Sequence, residues 1–101
     1  MAVSSYDLRE ARQQADQLED LSNNLKKQYQ ELKEIYDSID ASWEGNAATA
    51  FKQKLYKLMR MISNNVSDIN TVAENIREVA YKLYREEQAR QARARALSEG
   101  E

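Results

Sequence analysis

The sequence predicts an all-α fold, an antiparallel helix-turn-helix hairpin that dimerises into a four-helix bundle. Three observations predict it: the chain has no proline, Gly45 is its only glycine outside the last two residues, and apolar residues on both sides of Gly45 recur at steps of three and four. Glycine supplies the positive φ angle at which helices commonly end. We expect a first helix over about 4–41, a turn over 42–46 with the Trp-x-Gly motif Trp43 and Gly45, and a second helix from 47.

The first helix is predicted to begin with Ser4 or Ser5 as its N-cap, with Asp7 in the first turn, where the helix dipole favours a negative charge. Its apolar residues follow a heptad spacing, which is typical of a helix that packs on another at a shallow crossing angle. The principal seam residues are Leu18, Leu25, Leu32 and Ile39.

The second helix, with Asn46 as its expected N-cap, has three apolar rows. Two of them form the expected hairpin seam of Phe51, Leu55, Leu58, Ile62, Ile69 and Ile76. A third row, which includes Met59, Val66 and Ala73, lies beside them. One partner helix cannot cover three rows, so this width predicts a further helical neighbour.

Each seam has one polar interruption, Ser22 in the first helix and Asn65 in the second. The heptad spacing that pairs Leu32 with Leu55 also sets Ser22 level with Asn65, so we expect a single polar layer. Two interpretations remain open. The layer is either slightly open to water, or it is a hydrogen-bonded pair that fixes register or partner choice at some cost in stability.

Two helices cannot enclose a core, because each seam is covered on one side only. A large apolar side chain contributes roughly 1.5 to 3 kcal/mol when it is fully buried, so exposed outer rows would forfeit much of the stabilisation. We therefore expect a second hairpin to cover them. The predicted dimer interface comprises Leu21, Ile35, Met59, Val66 and Ala73.

The hairpin is predicted to span residues 1–84, because later residues have no counterpart in the first helix. Residues 85–101 then form an exposed, partly frayed helical tail with Leu97 as its one large apolar residue. The arginines of this tail either form a solvated helix end or contact acidic lipid or nucleic acid.

Composition excludes several classes of protein. With no cysteine and no histidine, the chain lacks the usual nucleophile, the best general base and the commonest transition-metal ligands, so we expect no enzyme activity, no metal and no cofactor. The net charge of -2 argues against a nucleic-acid partner. No apolar run approaches the roughly 18 residues of a membrane span.

Residues 1–10 contain three charged side chains and no apolar region of a cleavable signal peptide. We therefore expect synthesis as a soluble chain in the cytoplasm without stable membrane insertion. If the protein is secreted, we expect a route that does not read such a peptide.

The length, the central Trp43-Glu44-Gly45 turn, the aromatic Phe51 six residues after the glycine and the alanine-rich start of the second helix resemble the WXG family of ESAT-like proteins. The resemblance implies a secreted substrate or component of a Gram-positive type VII (ESX) secretion system. It implies hairpins that pair head to tail as homodimers or heterodimers, and recognition by a membrane ATPase.

The resemblance also implies an export signal, Tyr-x-x-x-Asp/Glu, after the second helix, which combines with the turn tryptophan of the other subunit. Here Arg85 stands four residues after Tyr81, and Gln88 four after Tyr84. Only looser versions fit, from Leu83 to Glu87 or from Tyr81 to Glu86. The candidate export-signal residues are Tyr81, Leu83, Tyr84 and Glu87.

Three functions follow as hypotheses. The first is a leaderless protein exported as a helical dimer. The second is a heterodimeric targeting partner or chaperone for the helical N-terminal domain of a larger type VII toxin, which the imperfect signal and the wide apolar face favour. The third is a cytosolic coiled-coil adaptor.

Overall fold

The computed structural model describes residues 4–100, and two helices contain nearly all of them. Helix α1 is Ser5–Ser42 and helix α2 is Asn46–Glu99, with no strand in this part of the chain. The predicted all-α helical hairpin is confirmed. Residues 1–3 and 101, at the outer ends of the predicted ranges 1–84 and 85–101, lie outside the described residues.

Helix α1 begins with Ser4 as its N-cap. The Ser4 Oγ accepts a hydrogen bond from the backbone N–H of Asp7 at 3.1 Å, and the backbone N–H of Ser4 donates to Asp7 Oδ2 at 2.9 Å. This reciprocal pairing satisfies two amides that the first turn of a helix leaves free. The acidic side chain in the first turn therefore stabilises the helix through hydrogen bonding as well as through charge.

The turn between the helices is shorter than the sequence predicts. Helix α1 continues through Ser42, and Gly45 adopts a φ of +98°. The Gly45 carbonyl then accepts the backbone N–H of Thr49 at 3.1 Å. The residue whose carbonyl accepts the first helical hydrogen bond is the N-cap, so Gly45 has this role and Asn46 is already helical.

The helical packing divides into two units, each described by itself. The turn-proximal unit contains residues 18–71. Its core is an apolar cluster of buried residues with three partly buried neighbours. The buried members are Ile39, Ala48, Leu55 and Met59, and the neighbours are Tyr29, Leu32 and Tyr36. Ile62 is also buried, and Lys52 Nζ lies 2.7 Å from Asp40 Oδ1.

The terminal unit contains the described residues of 4–17 together with 72–100. Its buried apolar residues are Leu8, Ala15 and Ala73. Arg77 forms an ion pair with Asp16 across the two helices of this unit. The unit therefore combines a small apolar interior with charged contacts.

The row of α2 that faces α1 differs from the predicted one. Met59 is 6% exposed and Ala73 is fully buried, although the sequence predicts both in the dimer interface. Phe51 is 46% exposed and Leu58 is also exposed, although the sequence predicts both in the hairpin seam.

The row of Met59 and Ala73 therefore replaces the row of Phe51 and Leu58 in the hairpin seam, and the reason is geometric. Leu55 and Ile62 are compatible with either neighbouring row, because steps of three and four alternate on both sides of them. Ala48 packs in the cluster with Ile39, so the first turn of α2 presents this small residue to α1 and turns Phe51 outward. Val66, which lies between Met59 and Ala73 on the inward row, is half-buried.

The predicted polar layer is not a hydrogen-bonded pair. Ser22 is fully buried, whereas Asn65 lies on the outward row and is exposed. Within residues 4–100, the Ser22 Oγ is the one buried side-chain polar atom without a hydrogen-bond partner. Asn65 lies on the same row of α2 as Phe51 and Leu58, so it faces outward with them and is not part of the seam.

The tail is more ordered than expected. Helix α2 continues without interruption to Glu99, and Glu87, inside the segment predicted to be exposed, is only 8% exposed. Two neighbouring side chains along the helix hydrogen-bond to its carboxylate. Residue 84 is therefore not the last position with a buried side chain.

Candidate functional site

A groove beside the turn contains two exposed aromatic side chains, Trp43 and Phe51. This turn groove has a volume of about 620 Å³ and is lined by Glu31, Glu34, Ile35, Ser38, Ile39, Trp43 and Phe51. The rings of Trp43 and Phe51 have centroids 6.1 Å apart and are tilted by 34°. Trp43 is 56% exposed, so its ring packs on Phe51 while much of its surface remains available.

Gly45 and the turn hydrogen bonds position Trp43. The backbone N–H of Trp43 donates to the Ile39 carbonyl at 2.8 Å, which keeps the tryptophan at the end of α1. No atom lies within 4 Å of the place where a Gly45 side chain would begin. The requirement for glycine is therefore conformational rather than steric, because L residues rarely adopt this φ.

A second groove, in the terminal unit, is mostly apolar. This apolar groove has a volume of about 450 Å³ and is lined by Ala11, Val72, Asn75, Ile76, Val79, Ala80 and Leu83. Val72, Val79 and Leu83 are exposed. Leu83, a candidate export-signal residue, thus lies among side chains that a partner helix can cover.

Two residues of the candidate dimer interface are exposed in the structure. Leu21 and Ile35 on α1 are exposed, and Ile35 lines the turn groove beside Phe51. The other exposed large apolar residues of the turn-proximal unit are Trp43, Phe51, Tyr56, Leu58 and Met61.

The seam residues of α1 and the later seam residues of α2 are at least partly buried. In the turn-proximal unit Ile39 is buried, and the half-buried residues are Leu18, Leu25, Leu32 and Ile69. In the terminal unit Ile76 is half-buried and lines the apolar groove.

The candidate export-signal residues do not lie on one surface. Tyr81 is 47% exposed and Tyr84 is half-buried, whereas Glu87 is buried. Glu87 accepts hydrogen bonds from Arg90 Nη2 at 2.6 Å, Arg90 Nε at 3.1 Å and Gln91 Nε2 at 3.2 Å. These hydrogen bonds, first of all those from Arg90, lower the pKa of Glu87 even though burial opposes the shift.

A third groove, also in the terminal unit, surrounds Tyr81 and was missed in the sequence. This charged groove has a volume of about 470 Å³ and is lined by Glu78, Tyr81, Lys82, Arg85, Glu86 and Ala89. The Arg85 guanidinium lies 5.8 Å from the Tyr81 ring centroid, within cation–π range. The spacing of four residues between Tyr81 and Arg85 is the signal that places them on one helix face.

The family model for WXG100, proteins of 100 residues with WXG, matches residues 5–92. The chain belongs to the WXG100 family. WXG100 proteins are helical effector or structural proteins rather than enzymes, and type VII systems export them. They typically form dimers with related helical partners. No curated protein and no solved structure matched the chain.

Within residues 4–100, no helix has a stretch long and apolar enough to cross a membrane. The same part of the chain contains no group of three or more acidic side chains placed to hold a metal ion. The chain is a small helical protein associated with type VII secretion.

Proposed function

We propose that this WXG100 protein is exported by, or is a component of, the type VII secretion system of a Gram-positive bacterium, and that it acts there as a helical dimer. The family match over residues 5–92 carries the proposal, since it includes all of α1, the turn and α2 as far as residue 92. The secretion ATPase is the expected receptor.

The exposed apolar side chains support the dimer. A helical hairpin leaves one face of each helix uncovered, and a second hairpin is the simplest structure that covers both. In the turn-proximal unit, Phe51 and Leu58 are candidates for this contact, and in the terminal unit Val72 and Val79 are. They replace Met59 and Ala73, which the hairpin itself buries.

The oligomeric mass tests the dimer. We expect the purified protein to have twice the 11.7 kDa mass of the chain by light scattering, and Leu58→Glu to shift it toward the monomer. Tyr56→Glu is the control, because Tyr56 is also exposed on α2, at 53% against 44% for Leu58, and lines a groove with Tyr36. A wild-type monomer would contradict the homodimer.

Secretion tests the export. We expect the protein in the culture supernatant of its own host, and we expect Trp43→Ala or deletion of residues 85–101 to reduce it strongly. Tyr56→Ala controls for loss of an exposed aromatic side chain on α2. Unchanged export of both variants would contradict a signal composed of the turn and the tail.

The alternative function is a heterodimeric targeting partner for the helical N-terminal domain of a larger type VII toxin. The departure from the family signal favours it, since Arg85 and Gln88 stand where an acid is expected after Tyr81 and Tyr84. A monomeric or heterogeneous wild-type protein that becomes a defined heterodimer with the toxin domain would support this alternative.

A further inference from the structure

Two further grooves of the turn-proximal unit are lined by polar side chains that can all donate hydrogen bonds and that include no carboxylate. The tyrosine groove has a volume of about 630 Å³ and is lined by Tyr36, Thr49, Lys52, Gln53, Tyr56 and Lys57. The small groove has a volume of about 240 Å³ and is lined by Lys26, Tyr29, Gln30, Ile62, Ser63 and Val66. Both grooves therefore fit a negatively charged group that accepts hydrogen bonds.

The two grooves lie on one side of the hairpin. Tyr29 and Tyr36 are seven residues apart on α1, and Tyr56 and Ser63 are seven residues apart on α2. Seven residues are nearly two helical turns, so each helix contributes to both grooves from the same side. The rise of about 1.5 Å per residue separates the grooves by about 10 Å. The side chains that line the two grooves together form the basic face.

Lys26 and Lys57 supply the available positive charges of the basic face. Both are exposed, and neither has an ion-pair partner within residues 4–100. Lys52 differs from them, because its Nζ donates a hydrogen bond to Asp40 Oδ1 at 2.7 Å. The chain has no acidic residue at all between residues 45 and 67, so α2 contributes only positive charge to this surface. An acidic partner therefore complements the basic face.

The basic face stays open in the proposed dimer. Tyr56 is 53% exposed and precedes Leu58, a candidate for the dimer contact, by two residues. Successive residues are about 100° apart around a helix, so these two side chains point about 200° apart. Phe51, the other candidate in this unit, lines the turn groove rather than the basic face. A second hairpin that covers Phe51 and Leu58 leaves Tyr56 to a different partner.

The shape and composition of the basic face identify its partner as an acidic helix. A third helix that packs along the hairpin at a shallow angle has the same heptad repeat, so acids seven residues apart on it meet both grooves. Tyrosine is enriched at protein interfaces, because it buries a large ring and keeps a hydroxyl for hydrogen bonding. Tyr56 is the one exposed large apolar side chain among the lining residues, whereas helices that lie on a membrane present several. The net charge of -2 disfavours a nucleic acid.

We propose that the basic face docks an acidic amphipathic helix of a different protein, which packs on Tyr29, Tyr36 and Tyr56 and pairs its carboxylates with Lys26 and Lys57. The ion pair with Asp40 keeps Lys52 in the wall of the tyrosine groove. This docking requires neither the proposed export nor the proposed dimer, so its test is independent of both.

Binding of a synthetic acidic helix to the full-length protein tests the proposal. The probe is a peptide of about three heptads with glutamate and leucine in each, and the control peptide has glutamine in place of glutamate. In calorimetry at about 0.1 M salt, the double variant Lys26→Glu with Lys57→Glu should weaken binding at least about tenfold, because like charges then face each other. Tyr56→Ala should weaken it about fivefold.

The matched control is the double variant Lys27→Glu with Lys54→Glu. These lysines are exposed on the same two helices but line neither groove. The net charge of the protein changes equally in both double variants, so the control separates the grooves from a general attraction between opposite charges. It should weaken binding of the glutamate peptide by less than about twofold.

Four results would overturn the proposal. Equal weakening by the two double variants would leave only non-specific attraction. Failure of the glutamate peptide to bind, or equal binding of the glutamine peptide, would remove the recognition of acids. Binding of polyphosphate or phosphatidylglycerol vesicles, but not of the glutamate peptide, would assign the face to another class of ligand. A lower mass by light scattering for Lys26→Glu with Lys57→Glu than for wild type would assign it to a second copy of the chain.

Discussion

In the turn-proximal unit, Ile39, Leu55 and Met59 form a buried apolar cluster, whereas the terminal unit buries Leu8 with small alanines and the carboxylate of Glu87. Apolar burial is nearly independent of pH, while a hydrogen-bonded carboxylate is not. One pair of helices is therefore stabilised by different interactions in its two units. The stability of the turn-proximal unit should depend mainly on side-chain volume, and the stability of the terminal unit mainly on charge.

The largest expected effect is in the apolar cluster. Leu55→Ala should lower the free energy of unfolding by about 2 to 4 kcal/mol, because it removes buried methyl groups and leaves a cavity. Urea denaturation at fixed protein concentration measures it, since dimerisation would make stability depend on concentration. Leu97→Ala, at an exposed leucine of the terminal unit, should change the value by less than about 0.5 kcal/mol. If Leu55→Ala and Leu97→Ala lower the free energy of unfolding equally, the two units do not differ in their response to side-chain volume.

An intermediate effect is expected at Ser22, a buried polar residue among the apolar residues of the turn-proximal unit. Ser22→Ala should raise the free energy of unfolding by about 1 kcal/mol, because it removes a buried hydroxyl without a hydrogen-bond partner. Ser63→Ala is the matched control, because Ser63 is exposed on α2 and gains the same helix propensity. If both variants gain equally in urea denaturation, the buried hydroxyl has no cost.

The smallest expected effect is local to the terminal unit and depends on pH. The pKa of Glu87 is lowered in the folded chain, so its contribution is present above the ordinary glutamate pKa of about 4.3 and is lost as the pH falls through the lower folded value. The protection factors of the amides of residues 85–99, which correct for the pH dependence of intrinsic amide exchange, should therefore fall in wild type across that acidic interval.

In Glu87→Gln, the protection factors of residues 85–99 should not change across this acidic interval, because the side chain no longer titrates. Glu86→Gln should keep the fall seen in wild type, since Glu86 is exposed and lies outside the hydrogen bonds to Arg90. A fall that persists in Glu87→Gln would show that another group governs this segment.

Much of the fold was predictable from local rules. The absence of proline, the single interior glycine and the heptad spacing suffice for two helices that reverse at Gly45. The row of α2 that faces α1 was not predictable, because Leu55 and Ile62 fit seams that include either Phe51 or Met59. The choice depends on which residue of the first turn meets Ile39, and this is a tertiary contact.

The candidate site was likewise predictable only in part. Trp43 and Gly45 stand out in the sequence because each is nearly unique there. The difference between Glu86 and Glu87 does not stand out, since both are acids beside the same tyrosines. It follows from the hydrogen bonds of Arg90 and Gln91 to one of them and from the groove that contains the other.

The exposed ring at the turn gives the protein an intrinsic optical probe. Trp43 is the sole tryptophan of the chain, so its fluorescence emission arises from one place in the turn-proximal unit. A partner that covers the turn groove will move the indole into a less polar environment and shift the emission to shorter wavelength. Binding confined to the charged groove will leave the spectrum unchanged, and one unlabelled titration will therefore report which groove a partner occupies.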